Sequence, residues 1–194
     1  MKEGNIMMPI VLRDPGVGRT LDEYYVEAGK GVKIRIRIAE VVREDDSKEY
    51  CCFADESPLT TLDETIYTMT LGDIGPPENL FWAYKREDLY LLFKENLRKV
   101  VSRLKVEIAK DQESRLLYYM TREVRHGILK PFILDENIKD IKVISPGLNA
   151  LVIHKDYDFL GWLKTNAVFT DARHTKELMA RLVEKGPTNP PAES

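Results

Sequence analysis

The chain has 194 residues, 43% of them hydrophobic and 31% charged, and its 29 Lys and Arg against 32 Asp and Glu leave a formal net charge of −3. That length holds one large domain or two small ones with a real core, and the slight acidity argues against a globally basic nucleic-acid binder while leaving room for a local patch. Unbroken apolar runs such as residues 80–84 fall far below the roughly 18 residues a membrane span needs. The polar start Met1, Lys2, Glu3, Gly4 lacks the apolar stretch of a signal peptide, so the expected location is the cytosol.

Residues 32–42 are the clearest strand, with Val32, Ile34, Ile36 and Ile38 on one face and Lys33, Arg35 and Arg37 on the other. A charged turn at 44–48 and an apolar run at 49–53 complete an antiparallel hairpin. The adjacent cysteines Cys51 and Cys52 point to opposite faces of a strand, which makes a mutual disulfide geometrically poor and predicts buried thiols. Ser57-Pro58 predicts a helix start, followed by Leu59, Leu62, Ile66 and Met69 at helical spacing, and Gly72, Gly75, Pro76 and Pro77 predict its end. A long helix is expected over 86–110, its stripe formed by Leu89, Leu92, Phe93, Leu97, Val100, Leu104 and Ile108. Asp111 is expected to cap another helix, with Leu116, Leu117, Met120 and Val124 facing inward and Gly127 as its stop.

After Pro131 the texture changes. Strands are expected at 138–144, 151–154 and 161–169, with a Pro146-Gly147 turn between the first two. Thr170 or Asp171 is expected to cap a last helix carrying Leu178, Met179, Leu182 and Val183, which Gly186-Pro187 ends. The fold class read from this order is α+β: an N-terminal β-hairpin and helix (1–75), then a helical hairpin packed on a small antiparallel sheet with a C-terminal helix (76–186), then a Pro-rich linker (187–194).

Few residues offer chemistry. Gly16-Val17-Gly18-Arg19-Thr20 has Arg where a phosphate loop needs Lys, and Gly29-Lys30-Gly31 lacks the following Ser or Thr and runs into a strand, so neither is such a loop. His126 at a helix C-terminus, His154 at a strand end and His174 in a first helical turn have no partners at metal-ligand spacing. No Gly-x-Ser-x-Gly elbow is present. The Lys33, Arg35, Arg37 face reads as a solvated strand face, with phosphate binding as the sharper alternative. Arg122 and Arg125, near Lys130, read as an exposed helix face or a subunit contact.

The segment Asp135-Glu136-Asn137-Ile138-Lys139-Asp140-Ile141 resembles the D-P-x-I-E-D-I signature of the type II/IV secretion-system ATPases, the motors of secretion, pilus and archaellum assembly, in their archaeal branch. The elements around it agree in order: Gly127 and Lys130-Pro131-Phe132-Ile133-Leu134 before it, then Pro146-Gly147, Val152-Ile153-His154, Thr165-Asn166-Ala167-Val168-Phe169 and Pro187-Thr188-Asn189-Pro190 after it. Asn137 and Lys139 depart from the commoner residues at their positions. More loosely, Asp22-Glu23-Tyr24-Tyr25-Val26, the Ile-rich strand and Tyr50 are similar to the N-terminal region of that branch.

The resemblance implies the non-catalytic N-terminal region of a hexameric motor. Its Walker motifs, and with them ATP and Mg, belong to a C-terminal RecA-like motor domain; no catalytic, metal-binding or cofactor-binding residue is expected here. The implied partners are that motor domain, neighbouring subunits of a homohexamer and a polytopic membrane platform protein, with no nucleic acid, at the inner face of the cell membrane. The candidate interface or hinge residues are Asp140, Asn166, Arg122 and Arg125; Asp140 and Asn166 read equally well as residues hydrogen-bonding local backbone. The alternative function is a stand-alone adaptor that binds a separate motor subunit.

Overall fold

The computed structural model describes residues 18–43, 45–75, 79–80, 86–169 and 172–183. It shows an α+β fold in which six strands form one sheet: β1 (Gly18–Glu27), β2 (Lys33–Val42), β3 (Lys48–Asp55), β4 (Ile138–Lys142), β5 (Asn149–His154) and β6 (Leu163–Val168). The spatial order is β1-β2-β3-β6-β5-β4, antiparallel throughout except for the parallel pair β3 and β6. The helices are α1 (Thr61–Ile74), α2 (Arg86–Leu104), α3 (Lys110–Arg125), α4 (Lys130–Leu134) and α5 (Ala172–Val183).

The alternation of β2 sets the main core. Ile34, Ile36 and Ile38 are almost fully buried, and they share one cluster with Cys52 and Ala54 of β3, Leu89, Phe93, Leu97 and Val100 of α2, and Leu116, Met120 and Val124 of α3. Burying each of those isoleucines contributes about 1.5–3 kcal/mol relative to exposure. The opposite face of β2 and β3 carries a smaller cluster of Ala39, Val41, Cys51 and Phe53. Both cysteines are free, buried thiols.

Several boundaries differ from the sequence reading, each for a local reason. Helix α1 begins at Thr61, not after Ser57-Pro58, because Thr60 and Asp63 form a reciprocal capping box: the Asp63 amide donates to Thr60 Oγ1 and the Thr60 amide to Asp63 Oδ2. The helix expected over 86–110 stops at Leu104, where Lys105 takes a left-handed φ of 54°. Val106 and Ile108 still pack on the core, which is why the apolar stripe looked continuous. Ala109, not Asp111, sits at the N-cap of α3. Gly127 does follow the end of α3: its φ is 54°, and an added Cβ would meet Leu178 of α5 at 3.2 Å. Strand β1 lies outside the strands expected from the sequence, because a register shift between Thr20 and Asp22 interrupts its alternation. Thr170, Asp171, Pro76, Pro77 and residues 184–194 lie outside the described residues, as do Gly16 and Val17 and the His174 side chain.

The sheet curls. Strand β1 is at one edge and β4 at the other, yet the Tyr24 hydroxyl of β1 donates to Asp135 Oδ2, just before β4, at 2.5 Å and lies 3.0 Å from His154 Nε2 at the end of β5.

Candidate functional site

Of the four residues singled out in the sequence, Asp140, Asn166 and Arg122 make the internal contacts given below, and Arg125, expected on an exposed helix face, is buried. Asp140 is exposed at the β4 irregularity, and its Oδ1 accepts from the Ile141 amide at 2.8 Å. Asn166 is buried. Its Oδ1 accepts from the Ala54 amide at 3.0 Å and its Nδ2 donates to the Ala54 carbonyl at 2.9 Å. Strands β3 and β6 pair through Cys51 with Lys164 and Cys52 with Thr165; one step further, the Asn166 amide group satisfies the donor and acceptor of Ala54 as a neighbouring peptide would.

Arg122 does not stand on an exposed helix face. It is fully buried, ion-paired with Glu56 through Nη1 and with Glu123 through Nη2 at 2.7 Å, and its guanidinium lies 4.7 Å from the Tyr119 ring centroid. Burial alone would lower its pKa, but the two carboxylates outweigh it and hold the guanidinium above its ordinary value. Tyr118 completes the cluster by donating to Glu56 Oε1 at 2.5 Å. The same helix face thus ties the strand end after β3 to α3.

The signature segment is anchored from within. Asp135 is buried and accepts from the Tyr24 hydroxyl and from the Asn137 amide at 2.9 Å. His154 is fully buried, and its Nδ1 accepts from the Asp156 amide at 3.2 Å. That bond assigns the proton of the neutral imidazole to Nε2, so His154 donates to Tyr24 and Tyr24 to Asp135. Burial and the adjacent Asp135 carboxylate raise the Tyr24 phenol well above its usual range, keeping it a donor. Burial, with Asp135 a smaller contributor, likewise pushes the Cys52 thiol up and leaves it unreactive.

The two Gly-rich decoys and the basic strand resolve differently. Gly29, Lys30 and Gly31 form a tight left-handed turn between β1 and β2, with φ of 108°, 47° and 85°, and lead into a strand. Arg35 and Arg37 both direct Nε to Asp55 Oδ2, at 3.0 and 2.7 Å. Arg35 also lies 3.7 Å from Glu23, so the two arginines on this face are paired with two carboxylates of the same sheet.

Arg125 belongs to a feature that the sequence did not show. A cavity of about 400 Å³ opens between the β1–β2 turn, the first half of α2, and the outer side of α3. Its polar groups are Lys30, Arg125, His126 and Lys130 with the hydroxyls of Ser114 and Thr121; its apolar wall is Leu89, Tyr90, Leu91, Leu117 and the Tyr118 ring. Lys30 Nζ sits 3.2 Å above the Tyr90 ring centroid. Lys130 Nζ lies 4.4 Å from the Tyr118 centroid and donates to Thr121 Oγ1 at 3.1 Å. The available signal was the spacing of Ser114, Tyr118, Thr121 and Arg125 along one side of α3; nothing local to Lys30 said that its turn would close the far wall.

Among the described residues no group of three His, Cys, Asp or Glu side chains is placed to hold a metal ion, and no helix is long and apolar enough to cross a membrane. No protein-family model matches the chain, and no curated protein matches it.

Proposed function

We propose that the chain acts as the non-catalytic N-terminal region of a hexameric secretion or pilus-assembly ATPase, contributing to ring assembly and passing ATP-driven motion to a membrane platform. The observation that carries this reading is the ordered run of signature elements from Gly127 to Phe169 (helix end, Pro131, Asp135, Asp140, the Pro146-Gly147 turn, His154, Asn166). Its support from the fold is physical. Asp135 and His154, both within that run, are locked to β1 through Tyr24, and Asn166 is locked to β3 through Ala54. A segment so tied moves as one body, which suits a domain that shifts rigidly against a motor about a linker. In this reading ATP and Mg are held by the motor domain, and the chain works at the cytoplasmic face of the membrane.

The test compares the ATPase rate of this chain with that of a chain extended in frame through the downstream coding sequence. The expected outcome is hydrolysis by the longer chain alone. Hydrolysis by the present chain, abolished by a substitution within it, refutes the reading. A reading frame without a motor domain replaces it with the adaptor, to be tested by capture of a separate motor subunit.

A further inference from the structure

We propose that the outer face of β2 and β3 is an interaction surface occupied by the chain's own N-terminal segment, residues 6–12, laid across it as a strap. The inference does not rest on the motor reading. Ala39, Val41, Cys51 and Phe53 form an apolar cluster on the sheet face that looks away from the main core, and each is only 2–5% exposed. A sheet face open to water carries polar side chains, and an apolar one has to be buried against another element. Yet all five described helices give side chains to the main core and none to this cluster. The neighbouring charged side chains form a rim around it. Arg37 stands 5.3 Å from the Phe53 ring centroid on one side. Glu49, opposite Val41, pairs at 3.5 Å with Lys164, opposite Cys51. Their side chains are themselves 27% and 34% exposed.

The sequence just before β1 supplies the cover. Residues 6–12 read Ile-Met-Met-Pro-Ile-Val-Leu, an uncharged run between Lys2 and Glu3 on one side and Arg13 and Asp14 on the other. Strand β1 starts at Gly18, opposite Val41, so the chain enters the sheet beside the cluster. Neighbouring strands lie about 4.8 Å apart, which puts Cys51 and Phe53 of β3 roughly 10 Å from β1. The stretch from Leu12 to Gly18 spans up to about 20 Å when extended, twice what is needed. Within it, Asp14-Pro15-Gly16 has the residue order of a type II turn, with Pro at its second position and Gly at its third. Such a turn sends the run back over the sheet instead of away from it. Pro9 has no amide to give to a strand ladder, so the run suits a face better than the edge of β1. Met7 and Met8 are unbranched and adapt to an irregular surface.

The experiment uses the full chain. In a sample mixed from isotope-labelled and unlabelled copies, filtered NOE spectra report contacts of the Phe53 ring with the methyl groups of residues 6–12 and separate those within one chain from those between copies. The expected result is contacts within the chain. The second measurement is labelling of the native protein with dithiobisnitrobenzoate. Ile10→Asp combined with Val11→Asp puts a charge under the strap whichever of the two faces the sheet. It is expected to speed the reaction of Cys51 at least about tenfold while Cys52, on the core side, keeps its rate, and Cys51→Ser in the same background removes the fast phase. The NOE spectra are taken on the unaltered sequence and decide the matter even if the double variant unfolds. Absence of contacts from residues 6–12 to Phe53 overturns the proposal, as does Cys51 labelling unchanged in a folded double variant. Contacts found only between copies assign the face to a second copy and overturn it. Binding of the unaltered chain to phosphatidylcholine vesicles, lost in the double variant and without those contacts in lipid-free solution, assigns the run to a lipid surface and overturns it too.

Discussion

Replacing Asn166 tests how the two halves of the sheet are joined. Regular β3–β6 pairing is limited to Cys51 with Lys164 and Cys52 with Thr165, and the Asn166 amide continues it onto Ala54. In Asn166→Ala the buried Ala54 amide and carbonyl each lose this partner. A buried polar group left unsatisfied costs about 1–3 kcal/mol, so the two together predict a loss of about 2–6 kcal/mol. Asn166→Asp is more informative because its shape is unchanged. Its carboxylate can still accept from the Ala54 amide but faces the Ala54 carbonyl with a second acceptor, and it is charged in a buried place. Both effects raise the folded-state pKa of the new carboxyl above its unfolded value of about 3.9. The variant should be far less stable than the wild type at neutral pH and regain part of the difference as pH falls through that raised value, when protonation restores a donor. Urea denaturation at pH 7 and in mild acid measures this, and hydrogen exchange at the Ala54 amide localises it. If both variants unfold within about 0.5 kcal/mol of the wild type, the range of an ordinary surface substitution, the amide bridge does not hold the sheet together.

Two further outcomes are expected. Arg122→Met leaves the buried Glu56 carboxylate with only the Tyr118 hydroxyl among the side chains described above, and should cost about 3–5 kcal/mol; Glu56→Gln combined with it should recover a good part of that loss, since a neutral pair needs no countercharge. Denaturation of the two single variants and the double variant reports the coupling, and purely additive costs would count against a shared ion pair. For Asp63, burial acts to raise the pKa, but the Thr60 amide, Gln112 at 2.7 Å, the Thr60 hydroxyl and Arg115 at 2.8 Å prevail and hold it below the carboxylate range. Its stabilisation is therefore present above the unfolded pKa and fades as pH falls through the lowered folded value. Asp63→Asn should lose about 1.5–3 kcal/mol at pH 7, and the gap to wild type should close in acid; a gap constant between pH 7 and pH 2 would contradict the assignment.

Much of the local structure can be read from neighbouring residues, because local structure answers to spacing. The four-residue beat of Leu89, Phe93 and Leu97 is the buried stripe of α2, and the two-residue beat of Ile34, Ile36 and Ile38 is the inner face of β2. Gly127 ends its helix for a reason visible in the chain itself. The contacts that make a site were not visible, since each joins residues far apart in sequence. Arg122 sits among charged neighbours on a helix, and only the arrival of Glu56 from the segment after β3 turns an apparent surface arginine into a buried one. Tyr24, Asp135 and His154 come from three separate stretches and meet because the sheet curls. Lys30 and Lys130 are 100 positions apart and share a cavity through packing alone. Composition and periodicity thus determined the α+β class, the main helices and most of the strands, all of them consequences of side-chain direction along a regular backbone. Which strand lies beside which, which charges are buried, and where cations converge depended on long-range closure, and those are decided by what the folded chain can bury and still hydrogen-bond.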